Sequence, residues 1–406
     1  MPFEPNLTRP RIVTCEWSPA LASGGPRAAR RPTSFDAYVP DPIADRDWSV
    51  SATLGEILAV AERRCNDLEG HAAQVGLDTV ARQLLRSESV ASSRIEGHVL
   101  SNRRLAKAAV VPLHDVTAQS VIGNVAAVER AYEWARGAAP FEPGTFADVH
   151  RVLFAGTRDE PMGGVIRTRQ NWIGGDASSP ANAEFVPPPA EDVPRLVADL
   201  AEFCNRTDLP PVLQAALAHA HFETIHPFMD GNGRAGRALI GMVLIRRGVC
   251  RSVVPPVSLV LAGRADRYVR GLTSYRLADP ADWFAFFADA VAASAGASED
   301  LAARVRDLQE RWLSDAGTPR AGSAPRRLIQ ALPAHPVLTL ATAMAITGLS
   351  DEACRNALNR LTDAGILHET TAGKRNRVWE SNGLFGLLDA LERELGDPNR
   401  APRATR

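Results

Sequence analysis

The sequence predicts a mainly α-helical protein with one small β-hairpin, followed by a winged helix-turn-helix domain. Three observations lead to this fold class. Apolar residues recur at intervals of three and four through most of residues 118–300, as in amphipathic helices. Residues 163–187 break that pattern and carry glycines at their bends, as in a hairpin. Near the C-terminus, helical segments precede two short strands, which is the outline of a winged helix.

The first 50 residues differ from the rest of the chain. They contain eight of the 29 prolines and no sustained periodicity, so we expect an extended arm that wraps a surface or stays mobile. An amphipathic helix then begins at Leu54 and continues to Leu68, with apolar residues at three-to-four spacing. A second helix is expected at 79–90, and Gly97 is a natural helix stop after it.

Helical signals follow one another closely in the middle of the chain. The expected helices cover residues 118–136, 144–155, 190–205, 211–225, 234–248, 264–277 and 281–297. They are interrupted by the short hairpin, which we expect to be formed by 163–175 and 184–187.

The C-terminal part begins with a charged helix at about 298–315 and a linker at 317–325 that is rich in Gly and Pro. Helices near 326–332, 339–346 and 351–364 follow, and then two strands around a glycine-containing turn within 366–379. We therefore expect four parts: an N-terminal arm and helices at 1–110, a core at 111–300, a helix and linker at 301–325, and a winged-helix domain at 326–396.

Composition excludes several classes of protein. The chain has 46 Lys and Arg against 47 Asp and Glu, and this balance argues against a protein that coats nucleic acid or anionic membrane along its whole length. The five cysteines are scattered singly, which excludes a disulfide framework and a cysteine-based zinc ribbon. The N-terminus has no apolar region typical of a secretory signal, and the uncharged run 328–350 contains prolines unsuited to a membrane span. We therefore expect a cytoplasmic protein without a membrane partner.

The residues most informative about chemistry lie at 224–237, which read TIHPFMDGNGRAGR. Gly231, Asn232 and Gly233 permit positive φ angles and can point successive N–H groups at one anion. A helix begins directly after them, and its positive end attracts phosphate. Arg234 and Arg237 lie within one turn of that helix and can bind anionic oxygens.

Two further side chains complete this constellation. Asp230 is a hard oxygen ligand beside the phosphates, where Mg²⁺ would bind. His226, at the end of the preceding helix, can take a proton near neutral pH. Together these groups indicate phosphoryl or nucleotidyl transfer. The simpler interpretation, a turn followed by a solvated helix face, is disfavoured by the His-Pro-Phe before the turn and the Arg-x-x-Arg after it.

Residues 226–237 resemble the signature of the Fic family, His-x-Phe-x-(Asp/Glu)-Gly-Asn-Gly-Arg-x-x-Arg, at every defined position. Members of that family mostly transfer AMP from ATP to a hydroxyl of a target protein. The resemblance implies a Fic helical bundle with a β-hairpin flap, in which His226 is the general base and Asp230 the Mg²⁺ ligand. It also implies phosphate binding by Gly231, Asn232, Gly233, Arg234 and Arg237, with Arg237 on the γ-phosphate. Gly233 matches the AMP-transferring version of the loop and not the kinase version.

A second motif lies before the expected core. Ser92, Glu96 and Gly97 resemble the inhibitory helix motif of the family, (Ser/Thr)-x-x-x-Glu-(Gly/Asn), in the class whose inhibitory helix precedes the core. The resemblance implies that Glu96 pairs with Arg237, and an arginine held by a carboxylate cannot also hold the γ-phosphate. ATP would then bind in a pose that is not aligned for attack on its α-phosphorus. An ordinary helix surface or cap is the alternative for an isolated pair with this spacing.

Two other segments are similar to parts of the family. Trp172, Ile173 and Gly174, together with residues 185–188, resemble the hairpin flap over the active site. The exposed edge of such a flap could align a target segment by strand addition. Core capping is the alternative for Trp172. Residues 38–42 are similar to the N-terminal region often joined to such cores.

The histidines near the motif invite a zinc interpretation. His219, His221 and His226 lie close together in the sequence but lack the His-Glu-x-x-His pattern. The spacing also places His221 and His226 on different helix faces. We therefore expect His219 and His221 to pack or to form hydrogen bonds.

The C-terminal domain carries a weaker signal for DNA binding. Arg355, Asn359 and Arg360 could face a major groove, and Lys374, Arg375 and Arg377 in the wing could meet phosphates. Residues 326–380 have seven basic and five acidic side chains, an excess of two. A solvated or protein-contacting surface is therefore favoured over DNA binding.

The sequence thus predicts a self-inhibited protein adenylyltransferase (AMPylator) with ATP as co-substrate and Mg²⁺ as cofactor. It would transfer AMP to a Tyr, Thr or Ser hydroxyl of a target protein, itself included, and release pyrophosphate. A homodimer is one possible oligomeric state. One alternative is a deAMPylating hydrolase in which Glu96 orients a water. The other is a winged-helix DNA-binding regulator whose Fic core senses nucleotide. A phosphotransferase or phosphocholine transferase is a less favoured variant.

Overall fold

The fold is seen in a computed structural model, which describes residues 11–18, 32–75, 78–111, 115–176, 178–370 and 377–397. Helices predominate in this part of the chain, which confirms the mainly α-helical fold class. Within it, no helix is both long enough and apolar enough to cross a membrane. The chain divides into two compact units. The first comprises Met1–Val60, Ala126–Val249 and Asp266–Asp289, and the second comprises Ala61–Val125, Cys250–Ala265 and Ala290–Arg406.

The elements follow the predicted order closely. In chain order they are β1 (Arg11–Trp17), β2 (Thr33–Val39), α1 (Ala52–Val75), α2 (Asp78–Ile95), α3 (Asn102–Ala108), α4 (Val116–Arg136), α5 (Pro143–Phe154), α6 (Val193–Cys204), α7 (Pro211–Ile225), α8 (Asn232–Arg246), α9 (Val257–Gly263), α10 (Ala265–Arg276), α11 (Ala281–Asp315), α12 (Ala324–Ala331), β3 (Val337–Thr339), α13 (Leu340–Thr347), α14 (Asp351–Asp363), β4 (Leu367–Glu369), β5 (Val378–Ser381) and α15 (Leu384–Gly396). The predicted helices are confirmed, although α1 and α2 continue seven and five residues beyond their predicted ends. Helices α3, α9 and α15 were not predicted. The stretches predicted at 281–297 and 298–315 form the single helix α11.

The N-terminal segment corrects one prediction. Residues 1–50 were expected to form an extended arm that wraps a surface or stays mobile, but β1 and β2 pair antiparallel, from Arg11 opposite Val39 to Trp17 opposite Thr33. Alternate residues of both strands are turned inward, which is the period of a half-buried strand. The eight prolines of residues 1–50 all lie outside these two strands. Because prolines are so frequent there, the composition gave no indication of the two short runs in which inward and outward residues alternate. The chain after β2 is fixed to α6, where the Asp199 carboxylate accepts the N–H of residue 43 at 2.7 Å.

Helices α7 and α8 form the centre of the first unit. Every residue of α7 from Val212 to Ile225 is buried, and so is every residue of α8 from Asn232 to Ile245. A helix buried on all sides belongs to the core of a protein. Tyr132 of α4 packs closely against α8 at Gly241, since a Cβ atom at this glycine would lie 2.2 Å from the Tyr132 ring. The loop 226–231 that joins the two helices is therefore anchored at both ends in the core.

Helix α2 is central in the second unit, and much of what it buries is polar. The buried polar residues are Gln83, Ser87, Glu88, Ser89, Ser92 and Ser93. Glu88 accepts the N–H of Ser258 at the start of α9 at 2.8 Å. Asn124 of α4 donates to the Ser89 carbonyl at 2.9 Å and to the Ser93 hydroxyl at 3.1 Å. The polar groups of α2 are thus used to hold its neighbours.

The second unit ends in residues 324–397, which we call the C-terminal module. Its strands form one antiparallel sheet in the order β3–β5–β4. The predicted helices of this region are confirmed as α12, α13 and α14, whereas the strand β3 was not predicted. Gly348, with φ of +67°, ends α13, and the Ser350 side chain caps α14. The turn between β4 and β5, with Lys374 and Arg375, lies outside the described residues.

Candidate active site

The loop between α7 and α8 begins with His226, the predicted base. His226 has φ of +50° and ψ of +61°, a left-handed conformation that residues other than glycine seldom adopt. Its N–H donates to the Phe222 carbonyl at 2.9 Å, so His226 ends α7. The change of handedness turns the chain out of the helix and places the imidazole at the helix end.

A buried arginine supports this conformation. Arg167 donates from Nε to the carbonyl oxygen of His226 at 2.9 Å, and from Nη1 to the Arg169 carbonyl at 3.2 Å. It also donates from Nη2 to Pro188, and its own N–H donates to the Pro227 carbonyl at 2.9 Å. Burial lowers the pKa of Arg167 to about 10, which leaves it charged at neutral pH. Arg167 thus connects the start of the loop to Arg169 before the predicted flap and to Pro188 at its end.

Two asparagines hold the middle of the loop. Asn171 donates to the Phe228 carbonyl at 2.8 Å. Asn232 accepts the Phe228 N–H through Oδ1 at 2.8 Å and donates to the Phe228 carbonyl through Nδ2 at 2.8 Å. Since both polar atoms of the Asn232 side chain are used within the loop, its predicted contribution to phosphate binding would come from its backbone N–H.

His150 of α5 supports the far end of the loop. The Gly164 N–H donates to its Nδ1 atom at 2.9 Å, so the proton of the neutral ring is on Nε2, which donates to the Asp230 carbonyl at 2.8 Å. The ring also stacks on Phe228, with centroids 3.7 Å apart. Burial lowers the pKa of His150 to about 4, so the ring is neutral at physiological pH. His150 therefore fixes the backbone carbonyl of Asp230, the predicted metal ligand, and makes no hydrogen bond to the Asp230 carboxylate.

Gly231 is required at the start of α8 for two reasons. Its φ is +76°, in the region that favours glycine. A Cβ atom there would also lie 2.9 Å from Leu153 Cδ2 and 2.9 Å from Phe154 Cε2. The first N–H groups of α8 have no partner within the helix, so they are available to an anion.

The two predicted phosphate-binding arginines lie in the first turns of α8. Arg234 and Arg237 are 4% and 2% exposed. The Arg234 guanidinium lies 5.4 Å from the centroid of the Phe154 ring. Its Nη2 atom lies 3.5 Å from Asp230 Oδ2, an ion pair at long range. Buried guanidinium groups at a helix N-terminus suit a polyanion that enters the site and replaces water.

The chemistry of the donor set fits the way proteins bind Mg²⁺ together with nucleotides. The Asp230 side chain is 61% exposed, so its carboxylate is accessible. Across the described residues, no three His, Cys, Asp or Glu side chains come together as a metal-ligand group. Mg²⁺ commonly takes one or two carboxylates and completes its shell with substrate phosphates and water. Asp230 therefore fits as the single protein ligand of a nucleotide-borne Mg²⁺.

Glu223, in the last turn of α7, is a second acidic residue close to His226. Glu223 Oε2 is 3.9 Å from His226 Nδ1, and the Glu223 side chain is 7% exposed. Gly236 of α8 leaves space for this carboxylate, because a Cβ atom there would lie 2.6 Å from Glu223 Oε1. Arg276 donates to the Glu223 carbonyl at 3.5 Å, and the negative charge of Glu223 opposes the fall in the Arg276 pKa that burial causes. A carboxylate on the Nδ1 side favours a proton on Nδ1 and leaves Nε2 as the basic atom.

The predicted flap has less strand structure than expected. Ile173 and Phe185 form one isolated antiparallel bridge, with the Ile173 N–H donating to the Phe185 carbonyl at 2.9 Å. Gly174 follows with φ of +73°. Trp172 packs edge-on against Trp17 of β1, with centroids 6.4 Å apart. The predicted hairpin at 163–175 and 184–187 is therefore an irregular loop with isolated bridges, because side-chain bonds such as those of Arg167 hold it in place of a ladder.

The other two histidines have the packing role that was predicted. His219 lies between the Gly236 carbonyl and the Tyr268 hydroxyl, at 2.9 Å from each. His221 Nδ1 lies 2.9 Å from the Tyr275 hydroxyl. Burial lowers the pKa of both rings to about 3.

The residues of the predicted inhibitory motif lie at the end of α2, in the second unit. Ser92 is buried, whereas Glu96 and Gly97 are exposed. The Gly97 N–H donates to the Arg94 carbonyl at 3.0 Å, and Gly97 has φ of +84°. Gly97 therefore ends the helix as predicted. The pairing of Glu96 with Arg237 stays a prediction.

Of the basic residues considered for DNA binding, the three that the structure describes make contacts within the C-terminal module or with the segment before it. Arg355 pairs with Asp351, and Arg377 pairs with Glu369 at 2.6 Å. Arg360 donates to the Ala316 carbonyl. Asn359 is exposed.

Sequence reasoning missed His150, Arg167 and Glu223. Glu223 had a signal, because it lies three residues before His226 and thus about one helical turn away. His150 and Arg167 lie far from the motif in the sequence, and no local pattern relates them to it.

The domain that holds this site matches a known family. Residues 140–244 match the model of the Fic/DOC family. The match contains α5, α6 and α7, nearly all of α8, and the whole 226–237 motif.

Curated proteins share sequence with part of this chain. It is 33% identical over 124 residues to the protein adenylyltransferase fic-1 of Caenorhabditis briggsae, which is 30% of this chain and 22% of that protein. It is 40% identical over 68 residues to the probable protein adenylyltransferase aq_aa38 of Aquifex aeolicus, which is 16% of this chain and 21% of that protein. The chain therefore spans about a fifth of the length of the curated relatives it matches.

Two solved structures are similar in fold. The crystal structure of a Fic family protein from Desulfovibrio desulfuricans has a TM-score of 0.51 and 23% identity, and covers 83% of this chain and 98% of that chain. A structure of Fic-1 from C. elegans has a TM-score of 0.50 and 21% identity, and covers 61% of this chain and 72% of that chain. At these identities the similarity concerns the fold.

Proposed function

We propose that this chain, which contains a domain of the Fic/DOC family, is a self-inhibited protein adenylyltransferase. It would transfer AMP from ATP to a Tyr, Thr or Ser hydroxyl of a target protein and release pyrophosphate. The observation that carries the proposal is the position of His226, held in a left-handed conformation directly before the N-terminus of α8 and its two buried arginines. The adenylyltransferase names of the relatives agree with it.

The reaction is one displacement at the α-phosphorus of ATP. The target hydroxyl oxygen forms the new bond to phosphorus, and the bond between the α-phosphorus and its bridging oxygen to the β-phosphorus breaks. His226 takes the hydroxyl proton, and pyrophosphate leaves. The N–H groups at residues 231–233, with Arg234 and Arg237, would bind the phosphates. Mg²⁺ held by Asp230 would neutralise phosphate charge.

The base needs a defined tautomer, and Glu223 is suited to set it. With its carboxylate on the Nδ1 side, at 3.9 Å, the Nε2 atom of His226 is left to accept the proton. Hydrogen bonds of catalytic groups are often long before substrate binds. Glu223 is therefore a positioning residue in this proposal.

Inhibition is the second part of the proposal. Glu96 would compete with the γ-phosphate for Arg237, because one guanidinium cannot serve both carboxylate and phosphate in the same geometry. Removal of Glu96 should then raise activity. A deAMPylating hydrolase, in which Glu96 orients a water, would instead lose activity.

The proposal extends to the C-terminal module and to the location of the protein. The order of elements from α12 to β5 supports a winged-helix assignment for the C-terminal module. Arg355, Arg360 and Arg377 already have partners, which favours a role in protein contacts over DNA binding. Five unpaired cysteines suit a cytoplasmic protein.

Intact-protein mass spectrometry tests the proposal. The wild type, Glu96→Gly and Glu96→Gly/His226→Ala would be incubated with Mg²⁺ and ATP, alone and with cell lysate. We expect AMP addition to protein in the single variant and none in the double variant. Addition of phosphate would indicate a kinase. If no variant modifies itself or a lysate protein, the adenylyltransferase proposal is wrong.

A further inference from the structure

The turn that carries Glu96 is held on both sides by one carboxylate. Glu392 of α15 lies with Oε2 at 2.9 Å from Arg94 Nη2, and its Oε1 accepts a hydrogen bond from Asn102 Nδ2 at 2.7 Å. Arg94 lies in the last turn of α2, two residues before Glu96, and Asn102 is the first residue of α3. Both oxygens of Glu392 are thus used to bracket residues 95–101.

The carboxylate end of this contact is largely buried, whereas the Arg94 side chain is 37% exposed. The Glu392 side chain is 17% exposed, and Asn102 is 4% exposed. The effective dielectric constant around the Glu392 carboxylate is lower than in bulk water, so the hydrogen bonds of this carboxylate are stronger than they would be in water. Loss of the carboxylate would leave the Arg94 guanidinium and the buried Asn102 amide without this partner.

Other contacts join the same two parts of the second unit. Glu380 of β5 is 1% exposed and lies 3.2 Å from Arg103 Nε and 3.3 Å from Lys107 Nζ, both in α3. Gln83, near the start of α2, donates to the Pro333 carbonyl at 2.7 Å. The C-terminal module therefore contacts α2 near both of its ends and α3 along its length.

The turn between α2 and α3 has one buried apolar anchor. Leu100 is 3% exposed and packs in an apolar cluster with Val90 and Leu105, whereas Val99 is 69% exposed. The backbone bonds of the turn are short-range, such as that from the His98 N–H to the Ser93 carbonyl at 2.9 Å. Residues 96–99 before the anchor add few buried apolar contacts, and such backbone opens at low free-energy cost, so contacts on its flanks help to fix its position.

We propose that the C-terminal module regulates the active site through Glu392, which clamps the Glu96-bearing turn in its inhibitory position. The inference rests on the proposed function, because it concerns inhibition by Glu96. Release of Glu392 from Arg94 and Asn102 frees the turn, lowers the local concentration of Glu96 at its target arginine and raises the rate of AMP transfer.

The test uses full-length protein and the mass-spectrometric transfer assay. We expect Glu392→Ala to raise the rate about fivefold or more, the lower range for coupling between two sites. Glu96→Gly/Glu392→Ala should be no faster than Glu96→Gly, since both act on one inhibitory contact. The matched control is Asp389→Ala, which removes an exposed carboxylate from the same helix and should leave the rate unchanged.

A charge exchange separates the clamp from general destabilisation. The double variant Arg94→Glu/Glu392→Arg should return the rate toward wild type, whereas Glu392→Arg alone should be active. Asn102 can also form a hydrogen bond with the arginine introduced at position 392. Its buried Oδ1 atom accepts no hydrogen bond from the described residues and can accept one from an arginine. Far-UV circular dichroism and thermal unfolding of each variant would check that the fold is retained.

Amide hydrogen exchange gives a readout independent of activity. Peptides covering 93–102 should exchange faster in Glu392→Ala than in the wild type and in Asp389→Ala. Two results would contradict the clamp by Glu392 and leave the adenylyltransferase proposal standing. One is unchanged exchange of residues 93–102 in Glu392→Ala. The other is faster AMP transfer in Glu96→Gly without any increase in Glu392→Ala. If Glu96→Gly shows no transfer to any protein, the proposed function fails and the regulatory role of Glu392 fails with it.

Discussion

His150 donates a hydrogen bond from Nε2 to the carbonyl oxygen of Asp230 at 2.8 Å while its ring stacks on Phe228. One neutral imidazole from α5 therefore supports two residues of the loop that connects the predicted base to the predicted phosphate site. The loop geometry depends on a side chain 76 residues before His226, outside the signature motif.

The first prediction concerns this support. His150→Ala leaves the Asp230 carbonyl and the Gly164 N–H without their partner and creates a cavity, so we expect a loss of about 2–4 kcal/mol in the free energy of unfolding. AMP transfer in the Glu96→Gly background should fall at least tenfold. His150→Gln offers one donor and one acceptor and should lose less on both measures. Equal losses in the two variants, by urea unfolding and initial rates, would contradict the hydrogen-bonding role.

The second prediction is a dependence of stability on pH. Burial lowers the pKa of His150 to about 4, so the folded state resists protonation that the unfolded chain accepts near pH 6.5. This contribution to stability is complete above about pH 6.5 and is lost as the pH falls toward 4. His219 and His221, with pKa values near 3, act in the same direction.

The measurement is the free energy of urea unfolding between about pH 7 and pH 4.5, where His150 alone should account for about 2–3 kcal/mol of the decrease. Because carboxylates also titrate at the lower end, the informative quantity is the difference between the wild type and His150→Gln. That variant should show a smaller slope. Parallel curves would mean that His150 does not titrate as its burial indicates.

A third prediction compares two glycines. Gly231→Ala meets both a positive φ and a close contact with Phe154, so we expect it to cost about 2–4 kcal/mol of unfolding free energy. Gly144→Ala, in the first turn of α5, has nothing within 4 Å of the new Cβ and no positive φ. It should be neutral or slightly stabilising. Thermal unfolding of both variants decides, and similar melting temperatures would refute the argument from Gly231.

The fourth prediction addresses Glu223. Glu223→Gln should lower kcat tenfold or more with little change in the KM for ATP, because it removes the charge that orients the base and not a phosphate contact. Gly236→Ala, which would push a Cβ atom into the carboxylate, should produce the same loss without touching either residue of the pair. Glu129→Gln, at an exposed site of α4, is the control. A change in KM alone would remove Glu223 from the role of positioning His226.

The fifth prediction concerns the metal. Asp230→Asn keeps the shape of the side chain and removes its charge, so the Mg²⁺ concentration needed for half-maximal transfer should rise and the maximal rate should fall. Asp148→Asn, at an exposed carboxylate of α5 that pairs with Arg151, should leave the Mg²⁺ dependence unchanged. An unaltered dependence in Asp230→Asn would show that another group binds the metal.

How much the sequence revealed depended on whether a signal was local. The helices and the 226–237 motif could be predicted because their patterns repeat within a few residues. The strands β1 and β2 could not, because the prolines around them dominated the composition of the first 50 residues. The flap was predicted as a hairpin from its glycines, but Arg167 and Asn171 hold it by side-chain bonds that leave no periodicity. His150 reaches the site only through the packing of α5 against the loop.

The left-handed break at His226 has an electrostatic consequence. It makes one short loop the junction between the C-terminal end of α7 and the N-terminal end of α8, and these two ends carry partial charges of opposite sign, each about half an elementary charge. In the proposed reaction, the negative end of α7 would stabilise the imidazolium that forms when His226 takes the hydroxyl proton. Over the same few residues, the positive end of α8 would stabilise the charge that accumulates on the departing pyrophosphate. The backbone alone would therefore provide a field that favours the movement of the proton in one direction and of the negative charge in the other.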